Sequence, residues 1–181
     1  MMRVIGRWLS NGVAVATLQV SAPAFATSLS FDCDVPPDHF SSISDQVTEG
    51  AAIRATVQMV EMRSGKNLPV AGARLIGNDG AVAAGIQLVA ASARAKQFDI
   101  VFNARQGEAV QRTSLGQVDV AGPIPFELTV SDAGTVTVLV GDSRFDVAAP
   151  PAAYEKGMVF CSTGQFKFSD IRFADPVAAA K

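Results

Sequence analysis

The sequence predicts an all-β fold, a two-sheet antiparallel β-sandwich, on three observations. Short segments alternate apolar and polar residues with a period of two. Turn residues, chiefly Gly, Asn, Asp and Pro, punctuate them at regular intervals. About ten to twelve such segments follow one another, the pattern of a sandwich or barrel.

The chain opens with a different signal. Arg3 and Arg7 precede an apolar stretch that is richest from Val13 to Leu18, and Ala24-Phe25-Ala26 then fits a small-x-small cleavage site. Residues 1–26 are therefore expected to be a signal peptide cut after Ala26. Asn11, Gly12 and Gln19 interrupt the apolar run, which is too short and polar for a permanent anchor. The expected product is a periplasmic or secreted protein with no membrane insertion after cleavage. It comprises a β-sandwich domain at 27–175 and a flexible tail at 176–181. Past the leader, 13 basic residues face 17 acidic ones, a formal charge of about −4. No basic stripe is present, which argues against nucleic acid as a partner.

Cys33 and Cys161, the two cysteines, lie near the ends of the domain. In an oxidising compartment they most simply form a disulfide; two buried free thiols are the alternative. With His39 as the sole histidine, they make no four-ligand zinc set, so neither metal nor cofactor is expected.

The strands can be followed in order. Leu29, Phe31 and Cys33 alternate in a first, and Ile53, Ala55, Val57 and Met59 in a second. Asn78-Asp79-Gly80 reads as a turn between Arg74–Ile76 and the run near Ile86–Leu88. Phe98, Ile100 and Phe102 alternate next, before Ala109–Thr113. Phe126, Leu128 and Val130, then Val136, Val138 and Val140, then Phe145 and Val147 form a three-strand meander. Its joints are Ser131–Gly134 and the two-residue Gly141-Asp142. Met158–Ser162 and Gln165–Phe173 close the domain, and a phase change near Ser169-Asp170 predicts a bulge. Two segments compete with this scheme. Ala81–Lys96 is alanine-rich enough for a helix, although the alternation at Gly85–Leu88 favours a strand. Ile43, Val47 and Ala51 could line a short helix.

Pro125–Val130, Gly134–Val138 and the closing run Gln165–Phe173 resemble the later strands of concanavalin A-like jelly rolls, the lectin/glucanase and laminin G-like group. The resemblance covers mainly residues 124–173. It implies a jelly roll whose first and last strands lie side by side, which agrees with the cysteine pairing inferred separately. The Glu-x-Asp-x-x-Glu signature of the glucanase members is absent, and Glu61, Glu108, Glu127 and Glu155 each stand alone.

No residue set assembles a catalytic site, and none is assigned. Asp32 with Asp34, or Asp142 with Asp146, could pair as acids or calcium ligands, but solvated strand edges and turns explain them as well. His39 has no nucleophile elbow beside it. Trp8, the one Trp, lies in the leader, so Tyr154, the one Tyr, is the aromatic assigned as a possible ligand contact. The expected function is an exported, non-catalytic binding or interaction module whose partner is a glycan or an envelope protein. A divergent glycoside hydrolase or lyase and a structural subunit of a surface assembly are the alternatives.

Overall fold

A computed structural model describes residues 28–47, 52–77, 80–131 and 134–174. The expected leader 1–26 with its cleavage after Ala26, and the tail 176–181, lie outside the described residues. Ten strands follow in chain order: β1 (Leu29–Gln46), β2 (Ala52–Met62), β3 (Val70–Gly77), β4 (Val82–Ala90), β5 (Gln97–Gln106), β6 (Ala109–Asp119), β7 (Pro123–Val130), β8 (Thr135–Val140), β9 (Ser143–Ala148) and β10 (Tyr154–Ala174). Among the described residues there is no α-helix, and no helix long and apolar enough to cross a membrane.

The alanine-rich segment is strand β4. Val82, Ala84, Ile86, Leu88 and Ala90 alternate into the core, so burial on a period of two outweighs the helical preference of alanine. Ile43 likewise sits in β1, while Ala51 lies outside the described residues. The meander forms as expected, with Gly141 at φ 56° in the two-residue turn between β8 and β9.

All strand pairs are antiparallel, in the order β6-β5-β4-β3-β10-β2-β7-β8-β9, and β1 runs along the other edge of β10. The segments expected as two closing strands are one strand of 21 residues. Its first part, to Ser162, pairs with β3; from Gly164 onward it pairs with β2. β10 therefore belongs to both layers. One sheet is β6-β5-β4-β3 with the first part of β10, and the other is β9-β8-β7-β2 with the second part. β1 crosses in step: Phe40–Gln46 pairs with the first part, Leu29–Val35 with the second.

Both crossing strands change direction at one corner. Thr163 has φ 55° and Asp38 has φ 64°, backbone that L side chains seldom adopt, and Asp38 N–H donates to Thr163 Oγ1 at 3.2 Å. Pro36 and Pro37 fit because β1 slips register between Val35 and Phe40, so the ladder asks for no amide hydrogen there. The expected bulge is present: β10 slips against β2 between Ser169 and Arg172, with Asp170 at φ 53°.

The inner faces fill the space between the sheets. Phe98 of β5 meets Phe166 of β10 across the layers at 6.3 Å, and Phe126 packs edge-on against Phe168 at 6.4 Å. Each such buried side chain contributes roughly 1.5–3 kcal/mol. Cys33 and Cys161 are bonded to each other, with Cα atoms 6.2 Å apart. Free thiols are thereby set aside. The bridge lies in the core, tying the β1 half of one sheet to the β10 half of the other.

Candidate functional site: the open face of β3 to β6

In an antiparallel pair, residues directly opposite share a face. The register places Arg74 opposite Gly85, Gly85 opposite Asn103, and Asn103 opposite Arg112. These four form one row across β3, β4, β5 and β6, on the side turned away from the core. Gln87, one row along on β4, and Arg105, one row along on β5, flank it.

The centre of the row is bare because Gly85 has no side chain. A Cβ there would lie 2.5 Å from the Ala73 carbonyl oxygen and 3.0 Å from Arg74 Cα, so close strand packing keeps the position empty. Beside it lies a hollow of about 230 Å³, lined by Arg74, Gln87, Asn103, Arg105, Ala83 and Val110 among others.

Neighbouring groups fix the Arg74 side chain. Its guanidinium carbon lies 5.5 Å from the centre of the Phe160 ring, in cation–π range. Phe160 is buried on this outer face above Gly72, where a Cβ would come within 2.7 Å of the ring. Phe40, 58 % exposed, extends the aromatic surface at 5.6 Å from Phe160. Arg105 Nη2 donates to the Gly80 carbonyl oxygen.

The electrostatics are unbalanced. Burial first, and the Arg105 charge second, push the Arg74 guanidinium below the ordinary arginine value. Four ion pairs occur among the described residues, and Arg74, Arg105 and Arg112 enter none of them. Asn103 Nδ2 is buried with no hydrogen-bond partner among the described residues, where such groups are usually satisfied. Carboxylates on this face, Asp99 and Asp119, sit at the other end of β5 and β6. Each accepts from a glutamine: Asp99 from Gln117 at 2.8 Å and Asp119 from Gln97 at 3.1 Å. The hollow thus presents hydrogen-bond donors and positive charge with no acid in its lining.

Two other hollows differ in character. One of about 320 Å³ on the opposite sheet contains Arg54 and Glu127, already paired at 2.8 Å. Another of about 370 Å³ has Asp119 and Asp142 at its rim.

The residues singled out in the sequence are not brought together. Asp32 accepts from Gln165 Nε2 at 3.2 Å, and Asp34 pairs with Arg63 at 2.7 Å, so the two acids have separate partners. Asp146 accepts from Thr137 Oγ1 at 2.6 Å and Asp142 stays in its turn. Exposed His39 donates from Nδ1 to the Pro37 carbonyl at 2.8 Å. Among the described residues no three His, Cys, Asp or Glu side chains gather as a metal site. Tyr154 begins β10 and belongs to the core, 4 % exposed, with its hydroxyl donating to the Pro150 carbonyl at 3.1 Å. The Tyr154 ring is packing material, and a ligand would reach little of it.

The row itself was missed in the sequence. Its one local trace is Asn103-Ala104-Arg105, two polar groups sharing a phase in a strand whose other phase is apolar from Phe98 to Ala104. The alignment with Arg74 and Arg112 depends on register, which one strand's pattern does not disclose.

No known family profile matches the chain, and no curated protein matches it. Solved structures do. An alginate lyase from Pseudomonas aeruginosa is 16% identical, with a TM-score of 0.50 over 70% of this chain. The chain spans 65% of that lyase's length. A carbohydrate-binding module from Bacillus subtilis is 9% identical, with a TM-score of 0.51 over 80% of this chain and 92% of that one. A prokaryotic β-1,3-1,4-glucanase (lichenase) derived from a mouse hindgut metagenome is 11% identical, with a TM-score of 0.52 over 82% and 79%. At such identities the shared property is the fold, the concanavalin A-like jelly roll that the closing strands resemble.

Proposed function

We propose that this chain is an exported, non-catalytic module that binds a glycan on the open face of β3 to β6. The observation that carries this reading is the row Arg74–Gly85–Asn103–Arg112, with a buried, unpartnered amide at its centre. A saccharide presents a dense array of oxygen acceptors and fits a hollow of donors. A small shift of the Asn103 side chain towards the hollow would let a ligand oxygen supply the partner that no described residue gives its amide. Phe40, exposed and packed on the buried Phe160, adds apolar surface near the donors, the usual mixture at ligand sites. Two of the structural neighbours are named for carbohydrates, a carbohydrate-binding module and a glucanase, and this supports the ligand class. The leader-like N-terminus and the core disulfide support export. The lining of this hollow holds no flanking pair of acids of the kind glycosidases use.

The test is a glycan array probed with residues 27–181, followed by calorimetric titration of each hit. Asn103→Ala should weaken binding about tenfold, as loss of one buried ligand hydrogen bond would, without changing the circular dichroism spectrum. A blank array, or unchanged binding by the variant, removes the reading. A blank array with reproducible capture of one envelope protein would transfer the face to a protein partner. Cleavage of a bound glycan would overturn the non-catalytic part.

A further inference from the structure

We infer that the ligand of this face is an acidic glycan, carrying carboxylate or sulfate groups at intervals along its chain. This rests on the glycan reading above and narrows it.

Charge and spacing carry the inference. Arg74 and Arg112 stand on β3 and β6, three strand intervals apart, so their Cα atoms are separated by roughly 14 Å. Arg105 lies between them on β5, one row along. Arg74 leans over Phe160 of β10, on the side of β3 away from Arg112, so a small anion seated at Arg74 in this arrangement leaves Arg112 unmet, whereas a chain with repeated acidic substituents spans both. Guanidinium groups suit the task because their planar fork of donors matches carboxylate and sulfate oxygens.

A neutral sugar would satisfy Asn103 and Gln87 but leave the arginines uncompensated. Arg74 is the strongest pointer, because it is half-buried, backed by Phe160 and repelled by Arg105. An anion placed between Arg74 and Arg105 would relieve that repulsion in a site partly shielded from water. The attraction is local, since the domain beyond the leader is acidic overall.

The face also has a direction. Arg105 stands towards the end near Gly80 and Arg74 and Arg112 at mid-strand, with Glu108 beyond them in the β5–β6 turn, while Asp99 and Asp119 occupy the far end of β5 and β6. Acidic substituents are welcome along the row and repelled at the far end, so a bound chain lies along the β3–β6 row and avoids the far end of the strands.

The deciding experiment titrates residues 27–181 with oligosaccharides of matched length: a polyuronate, a sulfated glycan and a neutral glucan. Each is run at low and high salt, with wild type, R74Q, R105Q and R112Q. Arg112 is exposed on β6, so R112Q keeps the fold even if R74Q does not. One or both acidic ligands should bind, about tenfold or more tightly than the neutral one, and each variant should lose about tenfold. Added salt should weaken acidic binding. Uronate-only or sulfate-only binding would assign the acidic group. Neutral glucan binding as tightly, unmoved by R112Q and R105Q, would overturn the acidic inference and leave the glycan reading intact. No binding by any of the three, with a blank array, would overturn both. Competition by inorganic sulfate at the same concentration of anionic groups would reduce the site to simple anion binding and overturn the inference.

Discussion

Asp38 shows how one side chain can hold a corner. Its carboxylate accepts from the Asn67 amide at 2.6 Å, pinning the β2–β3 connection to the crossing of β1. Amide donors at Asn67 first and Lys66 second hold the carboxyl below the usual carboxylate range, with His39 adding a small charge effect. A depressed folded-state pKa means that the ionised form stabilises the fold. That contribution is complete above the unfolded pKa of about 4 and fades as pH falls through the lower folded value. Asp38→Asn keeps an acceptor and a residue type tolerant of positive φ, yet loses the charge. Its thermal midpoint should lie below wild type at pH 7, and the gap should close as pH falls through the lowered folded-state value. A gap that persists in acid would show that the charge is not what matters. Gly85 makes a second point at this scale. Gly85→Ala should lower the thermal midpoint, because the added methyl meets the Ala73 carbonyl at 2.5 Å, and backbone shifts of this kind typically cost about 1–3 kcal/mol.

The strands that decide the architecture are β1 and β10. Phe166 sits where β10 has just entered its second sheet, and its ring faces Phe98 of the first. Phe166→Ala should cost about 3–5 kcal/mol in a denaturant titration, by lost burial and the cavity left between the layers. The Cys33–Cys161 bridge closes a separation of 128 residues along the chain. A chain-entropy estimate gives at most about 5 kcal/mol for so long a loop. Replacing both cysteines by alanine should lower the urea midpoint while leaving the far-ultraviolet circular dichroism spectrum sheet-like. A mainly helical spectrum would contradict the fold. Most of these elements were legible in the sequence, because alternation of Phe126, Leu128 and Val130, or of Phe98, Ile100 and Phe102, reports a buried face directly. The continuity of β10 was not. Thr163 at φ 55° and the bulge near Asp170 each reset the phase, so one strand reads as two.

At the scale of the whole molecule, the jelly roll was legible through its closing strands, but the candidate site was not. A sandwich core is written along each strand. A face that binds is written across strands, in a register that turns, bulges and the crossing of β10 set together. Tyr154 drew attention as the one tyrosine, a property of composition, yet its position at the head of β10 makes it core. Arg74, Asn103 and Arg112 lay unremarked among ordinary polar positions.

Because β10 pairs with β1, β2 and β3, neither layer is complete before the last strand joins. A version ending at Ala153 should therefore show the spectrum of a coil. The full chain should refold in roughly milliseconds to seconds, as non-local β topologies do, measured by stopped-flow fluorescence or circular dichroism. For a chain exported as proposed, the same dependence has a bearing on passage through a membrane. While a ribosome is still making residues 154–174, the preceding polypeptide has no finished sheet to lock into, so it stays pliant and can be threaded. Its shape is committed only once the final segment arrives, on whichever side of the barrier that happens.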